Sequence, residues 1–458
     1  MAETPAAPVH SDPPHGTLTY RDVNRDIVAT LATPGKMYWA VVGLLQILVG
    51  AAAVAFVIQM LFGMGVTGLN NPVGWGVYII TFVFWVGIAH SGTLISAVLF
   101  LFRARWRMPV YRTAEAMTVF AVLTAGLFPL IHMGRTWKFY WLLPYPNQRL
   151  VWPNFKSPLM WDVLAVSTYL MISSLFFYFG LIPDIAAARD RSTGIRRRIY
   201  NVMCFGWTGR GTHWIHYRKA YLIFAAIATP LVVSVHSVVS WDFAMSIIPG
   251  WHTTIFPPYF VAGAIHSGLA MVITLLIPLR ALFRVKHIVT LRHLQALALF
   301  TIATGLFVGH AYMIEFFIAA YSGNTYEYSI FNSLETGRPF GHYSVAFWIM
   351  AICNCVAPLL FAFRRIRSSI LWLFVLSILI NVGMWFERFV IIVTSLSTDF
   401  IPYNWGYYRI SLVEGIILVG SFAWFLLQFV LFAKHLPTIS MTEVKELIPP
   451  PTAEEVPE

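Results

Sequence analysis

Residues 87–96 read Gly87-Ile-Ala-His90-Ser-Gly-Thr-Leu-Ile-Ser, and residues 263–272 read Gly263-Ala-Ile-His266-Ser-Gly-Leu-Ala-Met-Val. Both stretches lie inside long apolar runs that end in basic residues. A second pair, Ala-Gly-Leu-Phe at 125–128 and Thr-Gly-Leu-Phe at 304–307, has nearly the same offset, and the offsets are 176 to 179 residues. A repeat at a nearly constant offset indicates that one structural unit occurs twice in the chain.

The apolar runs are those of a membrane protein. Of the 458 residues, 58% are hydrophobic and 11% are charged, whereas a soluble domain carries about a quarter charged residues. Backbone groups in lipid must be hydrogen-bonded within their own segment, so apolar runs of about twenty residues predict helices that span the bilayer. We expect ten spans, at residues 37–63, 74–102, 112–133, 157–182, 217–241, 256–283, 293–319, 342–364, 369–395 and 410–435.

The repeat fixes how the spans are grouped. Because the second unit begins four spans after the first, both units have the same orientation, which predicts two parallel four-helix bundles. The expected fold is therefore an all-α polytopic membrane protein, in which the His-Ser-Gly stretches could also serve close helix packing alone. Its expected parts are a cytoplasmic N-terminal segment with an interfacial helix (1–36), an outer helix (37–63), a first bundle (74–241), a second bundle (256–395), an outer helix (410–435) and a cytoplasmic tail (436–458).

The positive charges are concentrated in alternate loops between the spans. The net charge of +11 would suggest a nucleic-acid partner in a soluble protein, but here most basic residues lie in alternate loops, and we expect no such partner. The loop after the second span, for example, is expected to carry Arg103, Arg105, Arg107 and Arg112. The positive-inside rule then places both termini in the cytoplasm. One loop on the outer side breaks the pattern, which suggests a docking surface or a functional site; it contains Arg135, Lys138, Arg149 and Lys156.

The same outer loop is flanked by a candidate catalytic pair. His132 closes the third span and Asp162 lies near the start of the fourth, so both are expected at one end of consecutive antiparallel helices. A His and a carboxylate at the membrane face could take the two protons that a quinol loses on oxidation. The aromatic residues around them could line a pocket for a flat ring or form an interfacial belt; they are Trp137, Tyr140, Trp141, Trp152 and Trp161.

Ionisable residues inside the spans are further candidates, since each costs about 2.5–3.5 kcal/mol or more in the hydrocarbon region. Glu387 and Arg388 are neighbours that point about 100° apart on a helix, so each is expected to find a partner on another span. They could move protons, or they could belong to an ion-pair network that only fixes helix packing. The complete set is His90, Asp162, His236, Asp242, His266, His310, Glu315, Glu387, Arg388 and Glu414.

The histidine and cysteine patterns argue against a bound redox centre. Spans two, three, five and six carry one His each, and His132 and His236 are expected near the outer face while His90 lies deeper. Matched His pairs for haem are therefore not expected. The three cysteines, Cys204, Cys353 and Cys355, supply neither an iron–sulfur ligand set nor a metal site.

Several short motifs resemble a known family. Pro129-Leu-Ile-His132 with Trp161-Asp162, the Trp-Phe-Glu387-Arg388-Phe block and the two bundles resemble the NrfD/PsrC-type membrane subunits of quinone-linked oxidoreductases. Ten spans, with the opening Arg21-Asp-Val-Asn-Arg-Asp-Ile and Pro34-Gly-Lys-Met-Tyr-Trp, resemble most the ActC-type quinol-binding subunit of bacterial alternative complex III.

The resemblance implies a role within a complex in the bacterial inner membrane. Such a subunit binds and oxidises quinol, here expected to be menaquinol, near the periplasmic face, with His132 and Asp162 as catalytic residues and Arg135, Trp137, Tyr140 and Trp161 around the ring. It holds no redox cofactor and passes electrons to a periplasmic iron–sulfur subunit like molybdopterin oxidoreductases, then to c-type haem subunits. A sister membrane subunit of the same family is a further expected partner. Proton translocation is implied through the bundles, with His90, Asp242, His266, Glu387 and Arg388 as candidates.

Two alternatives remain open at the level of sequence. The same residues could serve a quinone-reducing membrane anchor of a polysulfide- or nitrite-type reductase, because they do not fix the direction of electron flow. The repeat could instead serve alternating access in a secondary transporter, which predicts helices broken near the midplane. Pro230 and Pro358 offer only weak support for such breaks, since their places in the two units do not correspond. Without a His/Asp equivalent in the second bundle, we expect one quinol site.

Overall fold

The chain forms helices throughout the part that the structure, a computed structural model, describes: residues 19–31, 34–143 and 156–448. Arg149 and Trp152 of the predicted outer loop lie outside the described residues, as do the first eighteen and the last ten residues. Nine of the described helices are long and apolar enough to cross a membrane, and a shorter apolar helix, Ser344–Leu360, adds a tenth. The predicted all-α polytopic fold is confirmed.

Fifteen helices follow in chain order. The short ones are α1 (Tyr20–Ala29), α6 (Gly194–Met203), α10 (Thr325–Asn332), α12 (Arg364–Arg367) and α15 (Met441–Lys445). The spanning ones are α2 (Lys36–Phe62), α3 (Val77–Leu101), α4 (Tyr111–His132), α5 (Pro158–Asp190), α7 (Gly211–Ala244), α8 (Phe256–Leu282), α9 (Leu291–Tyr321), α11 (Ser344–Leu360), α13 (Ile370–Ser397) and α14 (Leu412–His435).

The spanning helices pack as two groups of four and a pair. Helices α3, α4, α5 and α7 contact one another in the first bundle, and α8, α9, α11 and α13 do so in the second. Helices α2 and α14 pair with each other and lie against the first bundle. We call the end where α4 finishes and α5 begins the His132 end, and the opposite end the α6 end.

Two helices are longer than the hydropathy pattern predicts. Helix α5 continues to Asp190 rather than ending at residue 182, and α7 begins at Gly211 rather than at residue 217. The apolar run stops where charged residues begin, but helical hydrogen bonding does not depend on hydropathy, and the run Ala186-Ala-Ala-Arg189 favours helix. Both helices therefore continue beyond the predicted apolar runs at the α6 end.

The C-terminal helix α15 closes the α6 end of the first bundle. Asp184 accepts a hydrogen bond from the Met441 backbone N–H at 3.1 Å and pairs with Arg112 at 3.1 Å. Glu443 of α15 pairs with Arg107 at 2.9 Å. Burial raises the pKa of Glu443, although Arg107 acts against that rise. Buried ion pairs and hydrogen bonds, as well as apolar contacts, thus hold α15 against the first bundle.

The two repeated stretches meet where the bundles touch, between α3 and α8. Ser91 donates a hydrogen bond to the Ile265 carbonyl at 2.6 Å. A Cβ atom on Gly268 would lie 2.6 Å from the Ser91 side chain and 2.7 Å from the Ile88 carbonyl oxygen. The equivalent helices of the two bundles therefore approach closely, and the glycine is needed for that approach.

Gly268→Ala should separate the two helices and lower stability. Overpacking of this kind costs roughly 1–3 kcal/mol, which should appear as a lower midpoint of thermal unfolding in detergent. Gly50→Ala in α2 is the matched control, because its Cβ would meet nothing within 4 Å. Equal midpoints for the two variants would contradict the close approach.

Candidate functional site

His132 is the last residue of α4, and a buried polar contact fixes the backbone beside it. Gln59 of α2 donates to the Ile131 carbonyl at 2.9 Å and accepts from the Tyr78 hydroxyl at 2.5 Å. The Tyr78 ring lies edge-on to the His132 imidazole, with the ring centroids 6.5 Å apart. Among the described residues, the His132 Nδ1 atom is buried without a hydrogen-bond partner. The imidazole is therefore held in place with one nitrogen available.

Asp162 lies in the second turn of α5, at the His132 end, and is buried. Its carboxyl group shares a side-chain hydrogen bond with the carboxyl group of Asp242, near the end of α7. A hydrogen bond between two carboxyl groups requires a proton on one of them. The Oδ1 atoms of both residues are buried and have no partner among the described residues. Asp162 and Asp242 thus form a buried carboxyl pair that can hold a proton between them.

The predicted pairing of His132 with Asp162 is not tested by these contacts. Within residues 19–31, 34–143 and 156–448, no hydrogen bond or ion pair joins the two side chains, and Asp162 instead meets Asp242. The sequence predicts Asp242 as part of a proton pathway, and this contact was not foreseen. A signal was present in the sequence, since Asp242 follows the fifth apolar run at the same end.

The predicted ring-binding side chains surround this end but point outward. Arg135, Trp137 and Tyr140 are exposed on the 3₁₀ turn after α4, which includes Thr136–Leu142, and Trp161 is exposed on α5. The turn begins after Gly134, whose φ of +70° favours glycine. The aromatic faces are thus presented to the surroundings of the chain and not to its core.

The expectation that His90 lies deeper than His236 is wrong. The rings of His90 on α3 and His236 on α7 are 4.5 Å apart between centroids, and both side chains are buried. The error came from counting residues from the span ends, which assumes that all helices begin in one plane. His90 Nδ1 contacts the Val86 carbonyl at 2.8 Å, while its Nε2 and both His236 nitrogens have no partner among the described residues.

Glu387 and Arg388 form an ion pair with each other, which was not expected, while Glu387 also has the expected partner on another span. Their long side chains bend toward one another even though their Cβ atoms point apart. Glu387 also accepts from the Tyr312 hydroxyl of α9, and the Asn354 amide donates to that hydroxyl at 2.8 Å. Tyr312 and Asn354 were missed because only ionisable residues were considered.

Arg388 lies between the two repeated stretches. An ideal Cβ on Gly87 of α3 would be 3.4 Å from its Nη2 atom, and one on Gly263 of α8 would be 3.6 Å from the same atom. Gly87 and Gly263 each precede the repeated histidine by three residues. His266 itself contacts the Thr304 hydroxyl at 2.9 Å through Nδ1. The guanidinium is therefore near the axis that relates the bundles.

Two other buried acids have structural partners. Glu414 caps α14 and accepts from the Gly68 backbone N–H at 2.8 Å and the Tyr408 hydroxyl at 2.9 Å. Glu315 pairs with Arg338 at 3.4 Å near the end of α9. Helix α9 of the second bundle is the counterpart of α4 in the first. The second bundle therefore holds the Glu315–Arg338 ion pair at the end where the first holds His132 and the carboxyl groups of Asp162 and Asp242.

The buried group around Arg112 was also missed. Arg112 was interpreted as a loop charge, but it is fully buried in the first turn of α4, where it contacts Asp184 and, at 3.9 Å, Glu115. The spacing of Arg112 and Glu115 by three residues was the available signal. Within the described part of the chain, no group of three or more potential metal ligands converges; that the chain holds no haem or iron–sulfur cluster stays a prediction.

The fold and these contacts define a multi-pass helical membrane protein built from a duplicated four-helix bundle, with free polar atoms at one end of the first bundle. Residues 65–399 match the model of the family described as polysulphide reductase, NrfD. The chain belongs to the NrfD family.

Three relatives show the range of the family. The chain is 26% identical over 54% of its length to a protein of Halobacterium salinarum that is named as a membrane subunit of dimethyl sulfoxide reductase. It is 21% identical over 52% of its length to a protein of Mesobacillus selenatarsenatis that is named as a subunit of selenate reductase. It spans about half of each relative, 53% and 56%. The Hdr-like menaquinol oxidoreductase integral membrane subunit of Archaeoglobus fulgidus is 22% identical, over 90% of this chain and 96% of that protein.

Replacing either Glu387 or Arg388 alone should lower the stability of the protein strongly, because the two side chains are paired. Glu387→Gln or Arg388→Met leaves a buried charge uncompensated, which costs about 3–5 kcal/mol. The double variant should lose less than the sum of the two, as measured by thermal unfolding in detergent. Arg25→Gln is the control, because Arg25 is exposed and its surface ion pair with Asp22 should contribute little. Additive losses at 387 and 388 would refute the pairing.

Proposed function

We propose that this chain is the membrane subunit of a quinol:electron-acceptor oxidoreductase and that it oxidises quinol at the His132 end of the first bundle. One observation carries the proposal: at this end, His132 Nδ1 is buried without a hydrogen-bond partner among the described residues, and the buried carboxyl oxygens of Asp162 and Asp242 have no partner there but each other. A buried polar atom left without a hydrogen bond costs about 1–3 kcal/mol. Several such atoms at one end are the arrangement expected of a site that a polar ligand completes.

The proposed reaction is balanced by these side chains and an outside electron acceptor. A quinol that becomes a quinone releases two electrons and two protons. One proton goes to His132 Nδ1, and the other goes to the Asp162–Asp242 pair, which holds one proton and can accept a second. The two hydroxyl groups of a quinol lie at opposite sides of its ring, so one molecule can reach both acceptors without direct contact between them.

The surroundings suit a substrate that arrives from the lipid. Trp161 is exposed on α5 and Trp137 on the neighbouring turn, where aromatic faces can stack against a flat ring. Arg135 is exposed on the same turn and can attract a partner subunit. Gln59 and Tyr78 act as positioning residues, since they hold the end of α4 without reaching the ring nitrogen that would take the proton.

Membership of the NrfD family supports this role over that of a transporter. The Archaeoglobus relative is named as a menaquinol oxidoreductase subunit, which supports menaquinol as the substrate. We infer an ActC-type role in a complex like alternative complex III, with a periplasmic iron–sulfur subunit as the first electron acceptor, c-type haem subunits beyond it and a sister NrfD-like membrane subunit. The complex would lie in the bacterial inner membrane with both termini of this chain in the cytoplasm.

Proton movement through the bundles is part of the same proposal. From Asp242, six residues along α7 lead to His236, which lies against His90. The unpartnered nitrogens of these histidines suit bridging water. Arg388 and Glu387 follow at the bundle interface, with His266 beside them in α8. This series would connect the quinol site with the interior of the protein.

The reverse direction of electron flow uses the same residues. Two relatives are named as reductase subunits, so a quinone-reducing anchor is the alternative. Assays of the purified complex distinguish the two. If the chain oxidises quinol, added quinol should reduce a periplasmic electron acceptor. If it is a quinone-reducing anchor, reduction of the partner subunit should convert quinone to quinol.

Asp162→Asn should lower quinol-driven reduction of the acceptor in the intact complex by roughly 10²- to 10⁴-fold, the contribution of a general base. Asp190→Asn is the matched control, because Asp190 lies at the other end of the same helix and is exposed. Turnover by Asp162→Asn at the rate of the control would remove Asp162 from the mechanism.

Asp242→Asn tests the carboxyl pair separately. The Asn amide can still donate to the Asp162 carboxylate and Asp162 can still take a proton, but without a second carboxyl group beside it Asp162 is a weaker base for the quinol proton. We expect kcat to fall with KM little changed, measured with a soluble quinol analogue and the intact complex. A change in KM alone would show that Asp242 only shapes the pocket.

A further inference from the structure

Helix α6 connects α5 to α7 and presents three different faces. Its ten residues, Gly194–Met203, begin four residues after α5 ends at Asp190. At about 100° per residue, positions 196, 200 and 203 share one face, and positions 195, 199 and 202 share a second face about a quarter turn away. Positions 197, 198 and 201 occupy the remaining arc.

The first face docks on the protein. The Tyr200 side chain is buried and donates a hydrogen bond to the His435 carbonyl at 2.5 Å. Arg196 donates to the Leu31 carbonyl at 2.6 Å and to the Tyr200 hydroxyl at 2.9 Å. These bonds connect α6 to the segments after α1 and α14. The rotation of α6 about its own axis is therefore fixed, and so is the direction in which the other two faces point.

The second face is apolar and exposed. Ile195 and Val202 are each 75% exposed and Ile199 is 52% exposed. Phe205, just after the helix, is 76% exposed. Three large apolar side chains on one face of a docked helix, with Phe205 exposed just beyond it, need cover from something other than this chain.

The third face is basic. Arg197 and Arg198 are exposed there and form no ion pair within residues 156–448. Between residues 191 and 241 the chain has no Asp or Glu, while it has seven basic residues: Arg191, Arg196, Arg197, Arg198, Arg210, Arg218 and Lys219. This stretch of the chain thus brings a strong positive charge to the surface beside the apolar face and no carboxylate of its own.

Aromatic residues mark the level at which α6 lies. Trp207 packs edge-on against Trp214 at the start of α7, with ring centroids 5.0 Å apart, and both lie beside Tyr217. Trp and Tyr gather at the depth of the lipid headgroups. A docked helix at this level, with one apolar and one basic face, has the arrangement of an interfacial helix that lies in the plane of a membrane.

We propose that α6 is a binding site for anionic phospholipid, with Ile195, Ile199, Val202 and Phe205 inserted among the acyl chains and Arg197 and Arg198 on the phosphate headgroups. The positive-inside rule accounts for the charge of this loop but not for the apolar face beside it. A soluble protein partner could cover the apolar face, but a continuous bilayer already surrounds α5 and α7, which flank α6. Charge and position together favour the lipid.

The test uses the full chain in nanodiscs that contain equal amounts of phosphatidylcholine and phosphatidylglycerol. Native mass spectrometry after mild delipidation counts the lipids of each kind that stay bound. We expect the unmodified protein to retain phosphatidylglycerol preferentially. Arg197→Gln with Arg198→Gln should lower that preference by roughly tenfold, since each basic residue near an anionic surface contributes several-fold to binding.

Two further variants separate the site from general charge. Arg364→Gln with Arg365→Gln removes two exposed arginines from α12, at the same end of the bundles, and should leave the lipid preference unchanged. Ile195→Ser with Val202→Ser should lower retention of both lipids. All variants should keep the thermal midpoint of the unmodified protein in phosphatidylcholine, which shows that they fold.

Several results would overturn the proposal. They are equal retention of the two lipids by the unmodified protein, an unchanged preference in the Arg197/Arg198 variant, or the same loss in the Arg364/Arg365 variant. An unchanged lipid preference together with loss of a protein subunit from the native complex of the Arg197/Arg198 variant would assign α6 to a protein partner instead.

Discussion

Arg388 is a buried cation where the two bundles meet, and the residues around it must balance its charge and leave space for its side chain. A guanidinium in the hydrocarbon zone costs at least about 2.5–3.5 kcal/mol, so the protein must bring a counter-charge and leave room. Glu387 supplies the charge, and the Met384 carbonyl accepts a hydrogen bond from Arg388 at 3.3 Å. Gly87 and Gly263 lie against it, because a Cβ atom at either position would be in van der Waals contact with the guanidinium, at 3.4 and 3.6 Å. The glycines of the repeat thus accommodate the Arg388 side chain as well as the close packing of the helices.

Around this centre the two bundles differ in what they hold. The first contains the His90–His236 contact and, at the His132 end, acceptor atoms without partners in the described chain. At the corresponding end of the second bundle, Arg338 pairs with Glu315 and also donates to the Gly250 carbonyl at 3.3 Å. At this end, the first bundle therefore presents a histidine and two carboxyl groups, whereas the second presents an ion pair. This asymmetry supports a single quinol site in the first bundle.

The sequence predicts the fold class well, because apolar runs and a repeat follow from the bilayer itself. It predicts contacts between helices poorly. Asp162 and Asp242 are 80 residues apart, and only the packing of α5 on α7 shows that they meet. His236 was assigned to the wrong depth because helices do not begin in one plane. Arg112 was interpreted as a loop charge, since hydropathy cannot distinguish a loop from the buried first turn of a helix. The neighbours Glu387 and Arg388 pair because side-chain length outweighs Cβ direction.

Quinol binding at the His132 end is the central claim, and photolabelling of the native complex with a photoreactive quinol analogue tests it directly. Peptide mapping should find the label on the turn after α4 and on the first turns of α5, near His132 and Trp161, and excess unmodified quinol should remove it. Label concentrated elsewhere, for example in the apolar groove between α11 and α13 lined by Phe340, Val345 and Trp348, with none near His132, would contradict the claim.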